Sequence, residues 1–166
     1  MKGEIRASFC EGVHVQRWKD PHSGREVWLR EASRVEDWPR ELPWTSAGFG
    51  LLFAADHAVD ATAIAEDAVA RGVAFVCAWG PGCAMVEEAF DEAIVGSGRE
   101  ETKHDVVLTT SHAEESLEEA LEFFLDAATP SRDRAKDCQA WCILALGKGL
   151  AKRFERALRR RGATPV

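Results

Sequence analysis

Short apolar runs alternate along the chain with segments of helical periodicity, beginning near residue 48. The runs span residues 49–55, 73–79, 105–110 and 140–146. Near-continuous apolar runs of this length are typical of strands that are buried on both faces, and intervening helices favour parallel pairing. The pattern therefore predicts an α/β fold with one doubly wound, mostly parallel sheet of about four strands and helices on both of its faces.

The segments between these runs place apolar residues three and four positions apart, which is the spacing of a single helical face. The residues expected to face the core are Ile64, Ala65, Ala68 and Val69 in the first helix, Met85, Val86, Ala89, Phe90 and Ala93 in the second, Leu117, Ala120, Leu121, Phe124 and Leu125 in the third, and Leu150, Phe154, Ala157 and Leu158 in the last. The third helix is expected to end before Pro130. Capping boxes fit its start at both Ser111 and Ser116; we favour Ser116, which leaves residues 111–115 as a loop.

The first 47 residues follow a different pattern. Two loosely alternating stretches, residues 12–18 and 25–30, flank a polar turn and predict a β-hairpin that covers an edge of the sheet. The segment around Trp38-Pro39 and Pro43-Trp44 forms a rigid connector to the core at residues 48–166. There is no internal repeat and no sign of a second domain, so residues 1–166 are expected to fold as one unit.

The composition is that of a globular domain, with 46% hydrophobic and 30% charged residues in a chain of 166. No apolar run approaches the roughly 20 residues that span a bilayer, and the N-terminus lacks the apolar core of a signal peptide. We therefore expect no membrane partner and a cytoplasmic location. Arginine outnumbers lysine by fifteen to six, which is common in proteins of GC-rich bacteria.

The chain has five cysteines, an odd number that cannot pair completely within one molecule. They are Cys10, Cys77, Cys83, Cys138 and Cys142. None of the intervals is the two-residue spacing of a zinc knuckle. We expect free thiols and no structural metal site.

Charge is segregated along the chain, whose formal net charge is −7. Residues 87–126 contain thirteen acidic and two basic residues, whereas residues 148–161 contain seven basic residues and one acidic residue. Both segments are interpreted either as solvated helix faces or as surfaces for head-to-tail contacts in a homo-oligomer or with a protein partner. The basic segment could also bind a small anionic ligand. The acidic balance argues against nucleic acid as the main ligand.

Most of the residues whose side chains could bind a ligand or take part in catalysis lie at the ends of the four runs. In a doubly wound sheet, the loops beyond the carboxyl ends of the strands meet at one edge, where ligands bind. The candidates are Asp56 and His57 after the first run, Trp79, Gly80, Gly82 and Cys83 after the second, Thr109, Thr110, Ser111 and His112 after the third, and Gly147 and Lys148 after the fourth. Such loops are polar in most proteins, so their convergence alone does not establish a site.

Cys83 opens the second predicted helix directly after a Gly-Pro-Gly turn. A helix N-terminus stabilises a thiolate, so Cys83 is a candidate nucleophile with His57 or His112 as its base. The alternative is a small hydrophobic side chain that packs beneath the turn. No arginine stands six positions later, so a phosphatase loop of the Cys-x5-Arg type is absent.

The other candidates have a structural interpretation beside a functional one. Trp79 either stacks a ligand ring or belongs to the core. The hydroxyls around His112 either donate to an anion or cap the neighbouring backbone. Asp56 is either a helix cap or part of a site, and Lys148 either reaches a phosphate or belongs to the basic helix face. No G-x-G-x-x-G or G-x-x-x-x-G-K-[ST] motif is present, and no cofactor is assigned.

Two strings of residues resemble a family of small bacterial α/β domains of unknown function. They are Cys77-Ala-Trp-Gly-Pro-Gly-Cys83, of the form Cys-Ala-Trp-Gly-x-x-Cys, and Thr109-Thr-Ser-His112, of the form Thr-Thr-x-His. The resemblance covers about residues 49–146 and implies an α/β fold with Cys77, Trp79, Gly80, Cys83, Thr109, Thr110 and His112 as characteristic positions. It implies no activity, and members of the family often carry tryptophan where this chain has Ser111.

Three functional hypotheses are open. The first is a binding or accessory protein that uses the strand-end crevice or the acidic helical face, and it is favoured because no strong catalytic motif is present. The second is a small cysteine-dependent hydrolase or transferase with Cys83 as nucleophile and His112 or His57 as base. The third is an oligomerisation module.

Overall fold

A computed structural model describes residues 14–98 and 106–166 of the chain. Its strands are β1 (Val15–Lys19), β2 (Glu26–Ala32), β3 (Gly48–Ala55), β4 (Val73–Trp79), β5 (Leu108–His112), β6 (Cys138–Leu146) and β7 (Thr164–Pro165). They form a single seven-stranded sheet in the order β5-β4-β3-β6-β2-β1-β7.

The sheet is mostly parallel. The strands from β5 to β2 in this order are parallel to their neighbours, whereas β1 is antiparallel to both β2 and β7. The α/β class is therefore confirmed, but the expected number of about four strands is wrong. The reason is that the N-terminal hairpin continues the sheet: β2 pairs with β6 over its whole length, and β7 then adds to β1.

Helices cover both faces of the sheet, as expected. They are α1 (Thr62–Ala70), α2 (Cys83–Gly96), α3 (Leu117–Glu122), α4 (Arg132–Ala135) and α5 (Leu150–Arg160), with a π-helical turn at Phe123–Ala127 and a 3-10 turn at Val35–Asp37. The buried residues of α1 and α2 join the core on one face, and those of α3 and α5 join the core on the other. Within the described residues, no helix combines the length and the apolar character needed to cross a membrane.

Most of the predicted helix faces point into the core. All the apolar residues predicted for the first, third and last helices are buried. In α2, Val86 and Phe90 are buried, but the expected inward position of Met85 is wrong, because that side chain is 65% exposed. Burial on α2 follows Cys83, Val86 and Phe90, and Met85 is rotated by about 100° from Val86.

The third core strand is displaced from its predicted position. The apolar pattern predicts a strand over residues 105–110 and a loop over residues 111–115, whereas β5 ends only at His112. The predicted loop is wrong at Ser111 and His112, because β5 continues to pair with β4 as far as Trp79. Residue 105 lies outside the described residues.

The predicted start of α3 at Ser116 is confirmed. The Glu119 N–H donates to the Ser116 hydroxyl at 3.2 Å, and the Ser116 N–H donates to the Glu119 carboxylate at 2.7 Å. This reciprocal pair is a capping box, which satisfies N–H groups that the first helical turn leaves free. The helical segment ends at Ala127, before Pro130, as expected.

The connector between β2 and β3 serves as part of the core rather than as a spacer. Trp38 and Trp44 both pack against the core on the side of α1 and α2. The indole N–H of Trp38 donates to the Asp67 carboxylate of α1 at 2.6 Å. The Trp44 ring also lies 5.0 Å from that of Phe49 in β3 and 6.1 Å from that of Trp28 in β2, so the connector covers apolar surface of these two strands.

The second half of the acidic segment, in α3 and the turn after it, lies beside the basic helix α5 on one face of the sheet, whereas the acidic residues of α2 lie on the opposite face. α3 and α5 are in contact, and Arg160 of α5 approaches Glu118 of α3 to 3.4 Å. Just beyond α5, Arg161 pairs with Asp126 at 2.8 Å. Part of the charge that is segregated in the sequence is therefore neutralised within the fold.

Candidate functional site

The strands β2, β3, β4 and β6 end at the same edge of the sheet, because they run in the same direction. We call the surface formed there by Asp56, His57, residues 80–82 and residues 147–149 the carboxyl edge. From this edge the chain enters α1 on one face after β3, and α5 on the opposite face after β6. The neighbours β3 and β6 thus form a topological switch point, where open α/β sheets bind ligands.

Two Gly-x-Gly turns of the same form lie at this edge. Gly80 and Gly82 join β4 to α2 with φ of +103° and +77°, and Gly147 and Gly149 join β6 to α5 with φ of +141° and +77°. The first N–H of each helix donates back to the first glycine of its turn, at 3.1 Å for α2 and 3.3 Å for α5. Glycine is needed at such positive φ values because L side chains rarely adopt them.

The end of β3 is held between these two turns. A Cβ atom on Gly80 would overlap the carbonyl oxygen of Ala55, and a Cβ atom on Gly147 would overlap the carboxylate of Asp56. The Asp56 N–H also donates to the Leu146 carbonyl at 3.1 Å. Because Gly80 and Gly147 have no side chains, the ends of β4 and β6 can both lie close to the end of β3.

Both helices that follow the turns begin without a side-chain cap. Within residues 14–98 and 106–166, no acceptor contacts the N–H groups of Gly82 and Ala84 at the start of α2, or those of Gly149 and Ala151 at the start of α5. Free N–H groups and the positive end of the helix dipole together favour an anion at a helix N-terminus. The carboxyl edge presents two such ends, one from each face of the sheet.

Three polar side chains are accessible beside these N–H groups. His57 Nδ1 lies 2.5 Å from Asp56 Oδ1, and the two side chains are 55% and 43% exposed. Lys148, at the middle of the second turn, is exposed and makes no ion pair within the described residues. Asp56, His57 and Lys148, all predicted from the sequence, are thus present at the same edge.

Cys83 and His112 are not brought together. Cys83 is 3% exposed and belongs to the core on the side of α1 and α2. His112 faces the opposite layer, where its ring lies 4.6 Å from that of Phe123. Among the described residues, the Cys83 thiol makes no hydrogen bond to His112 or to His57. A nucleophile needs its base within hydrogen-bond reach, which this arrangement does not provide.

The three hydroxyls predicted for the site are placed along β5, away from the switch point. Thr109 donates to Asp91 of α2 at 2.7 Å, and Thr110 lies 3.0 Å from His112 Nε2 on the other face. Ser111 is exposed. Because β4 separates β5 from β3, these residues do not surround Asp56 and Lys148.

Trp79 is held by contacts on several sides. Its indole N–H donates to the Glu115 carbonyl at 2.9 Å, and its ring meets Phe154 edge-on at 6.5 Å. The Arg153 guanidinium lies 5.7 Å from the centre of the ring. These contacts favour the interpretation of Trp79 as a half-buried residue that packs against the core and joins β4 to α5 and to the segment before α3.

The other described cysteines are free and buried. Burial raises the pKa of Cys77 and Cys142 to about 12 and that of Cys138 to about 11. These three thiols are therefore protonated at neutral pH and poor nucleophiles. In the part of the chain that the structure describes, no group of three His, Cys, Asp or Glu side chains is arranged to hold a metal ion.

The equivalence of the two turns is the feature that the sequence analysis missed. Gly80, Gly82, Gly147 and Lys148 are predicted from the sequence as separate candidates without Gly149, and a helix N-terminus that stabilises negative charge is predicted only at Cys83. The signal was present as a Gly-x-Gly segment placed twice between an apolar run and an amphipathic helix. Only the packed sheet shows that both turns contact the end of β3.

Comparison with known proteins supports the family resemblance. The model of a domain of unknown function (DUF7684) matches residues 29–160. The match extends beyond residues 49–146 and includes the basic helix α5, which the resemblance had left outside. No curated protein and no solved structure matches the chain. The chain belongs to the family of the domain of unknown function DUF7684.

Proposed function

We propose that this chain is a ligand-binding domain that holds a small organic anion at the carboxyl edge. The observation that carries the proposal is the pair of Gly-x-Gly turns, each of which opens an uncapped helix beside the end of β3. Backbone N–H groups from both faces of the sheet are available to a ligand there. Ligands of open α/β sheets bind at this kind of switch point.

The charges at the carboxyl edge support an anion. Each helix N-terminus carries the equivalent of about half a positive elementary charge, and Lys148 adds a full charge within one of the turns. The Asp56 carboxylate is the opposing charge, and it accepts a hydrogen bond from His57 when Nδ1 carries the proton. The second oxygen of the Asp56 carboxylate can accept another hydrogen bond. The site therefore favours a ligand that carries a hydroxyl or amino donor in addition to its anionic group.

The same geometry favours binding over cysteine catalysis. Cys83 lies beneath the first turn with its side chain in the core, and neither His57 nor His112 reaches its thiol within the described residues. In this proposal Cys83 fills space under the turn, as small buried cysteines commonly do.

Isothermal titration calorimetry tests the proposal with inorganic phosphate first and then with a panel of small hydroxylated phosphate and carboxylate compounds. We expect Lys148→Glu to weaken the binding of an anion at least about tenfold, which corresponds to about 1.4 kcal/mol. The matched control is Lys136→Glu, because Lys136 is also exposed but lies just before β6, at the opposite edge of the sheet. Equal effects of the two variants, or no binding of any anion in the panel, would overturn the proposal.

A further inference from the structure

The strand β5 forms one outer edge of the sheet. One side of β5 pairs with β4, and no described residue pairs with its other side. An edge strand of this kind presents unpaired backbone N–H and C=O groups, which serve as a template for another strand.

The edge at β5 lacks the features by which proteins usually block strand addition. Leu108–His112 contains no proline, no lysine and no bulge, and Leu108 is 38% exposed. The opposite edge of the sheet is different, because β7 has only two residues and one of them is Pro165. Short edge strands and proline both oppose further pairing. The two edges are thus unequal, and within residues 14–98 and 106–166 β5 is the edge strand that nothing blocks.

The described elements before and after β5 carry acidic side chains and no basic ones, although the sequence between α2 and β5 adds Arg99 and Lys103, and Glu118 and Asp126 are paired with Arg160 and Arg161. Residues 87–98 and 106–126 contain ten Asp and Glu residues and no Lys or Arg. Two of these carboxylates lie directly at β5: Asp91 accepts a hydrogen bond from Thr109 at 2.7 Å, and Glu115 lies 3.4 Å from His112. Asp91 belongs to α2 on one face, and Glu115 follows β5 towards the other face. A strand added to β5 would therefore lie between acidic groups on both sides.

We propose that β5 binds an extended, basic segment of a partner protein as an added strand. Main-chain hydrogen bonds to β5 supply affinity, and the flanking carboxylates select lysine or arginine side chains that alternate along the segment. A second copy of this chain is a poorer occupant, because pairing of two β5 strands would bring two sets of like charges together. This surface does not include the carboxyl edge, so the inference does not depend on the anion site.

The test uses the full chain and a synthetic eight-residue peptide that alternates lysine and valine, with an alternating glutamate and valine peptide as the control. In nuclear magnetic resonance titrations, we expect the basic peptide to shift the amides of Leu108–His112 and to slow their hydrogen exchange. The acidic peptide is expected to have no effect. No binding of the basic peptide, equal binding of both peptides, or shifts that map away from β5 would each overturn the proposal.

A pair of double variants tests the role of charge without altering shape. We expect Asp91→Asn with Glu115→Gln to weaken binding of the basic peptide about five- to tenfold. The control, Glu41→Gln with Glu66→Gln, removes two exposed carboxylates away from β5 and should change the dissociation constant less than about twofold. Equal losses in both variants would contradict a charge-selective strand site. A dimer in sedimentation experiments whose interface protects β5 would also contradict it, because the occupant would then be a second copy.

Discussion

The backbone of Gly147 lies against the carboxylate of Asp56, with no room for a methyl group between them. These residues directly follow β6 and β3, the neighbouring parallel strands at the switch point of the sheet. Their contact brings the turn before α5 next to the end of β3, where the turn before α2 also packs. The close approach of the two turns is what makes the carboxyl edge a candidate site.

Replacement of Gly147 is expected to destabilise the fold more than replacement of the other glycine in the same turn. Gly147→Ala both forces an L residue to φ +141° and overlaps Asp56, so we expect a loss of about 3 kcal/mol in the free energy of unfolding. Gly149→Ala meets open space and is strained only by its φ of +77°, so we expect a loss of about 1 kcal/mol. Urea unfolding measures both. Equal losses of unfolding free energy in the two variants would show that the close contact between Gly147 and Asp56 does not contribute to stability.

Arg161 joins three parts of the chain through two carboxylates. Its guanidinium lies 3.3 Å from the fully buried Asp20, in the turn between β1 and β2, and 2.8 Å from Asp126. Arg161→Ala would leave the buried Asp20 charge without its cation, so we expect a loss of about 3 kcal/mol in unfolding free energy. The control is Arg160→Ala, which removes an exposed pair with Glu118 and should cost less than about 1 kcal/mol. A loss for Arg161→Ala as small as that of the control would contradict this role.

Asp20 also predicts how stability depends on pH. Burial alone would raise the pKa of Asp20, but hydrogen bonds from Arg161 and Ser23 together outweigh it and lower the pKa below the usual value of 3.8. The folded state therefore binds this proton more weakly than the unfolded chain does. The stabilisation is complete well above pH 3.8 and is lost as the pH falls through the lowered pKa.

The measurement is the unfolding free energy of the native chain and of Asp20→Asn between pH 7 and pH 2. We expect the native chain to lose its advantage over the variant as the pH falls through the acidic end of this range. If the difference between the two proteins is the same at every pH, the lowered pKa of Asp20 is contradicted.

Local and non-local features of the fold differ in how well the sequence predicts them. The cap at Ser116 depends on residues three positions apart, so it was predicted correctly. The extension of β5 to His112 depends on pairing with Trp79, and the inclusion of β2 depends on pairing with β6. Neither pairing leaves a signal in the local pattern of apolar residues. For this reason the end of β5 and the number of strands in the sheet were predicted incorrectly.

The candidate site shows the same division. The positions of Asp56, His57 and Lys148 after strands follow from the order of elements, and the sequence therefore predicts that they share an edge. The layer that Cys83 meets depends on the face on which α2 crosses the sheet, and the face that His112 meets depends on the register of β5. A change of one residue in register reverses the face of every side chain in a strand, so this separation was not visible in the sequence.

Cys83 is expected to act as a packing residue. In a Cys10→Ser background, iodoacetamide at pH 8 should label the remaining cysteines only after unfolding in urea, because all four are buried. Cys83→Ala should retain anion binding and lose about 1 kcal/mol of stability through the small cavity that it creates. Rapid labelling of Cys83 in the folded chain with a midpoint well below pH 8 would instead support a nucleophile.

The most direct test of the anion site is a nuclear magnetic resonance titration of the 15N-labelled chain with inorganic phosphate and the small-anion panel. We predict saturable shifts of the backbone amides of Gly82, Ala84, Gly149 and Ala151, at the starts of both helices together, and loss of these shifts in Lys148→Glu but not in Lys136→Glu. If these four amides do not respond to any anion, or if the shifts map to the surface of α5 alone, the carboxyl edge is not the binding site.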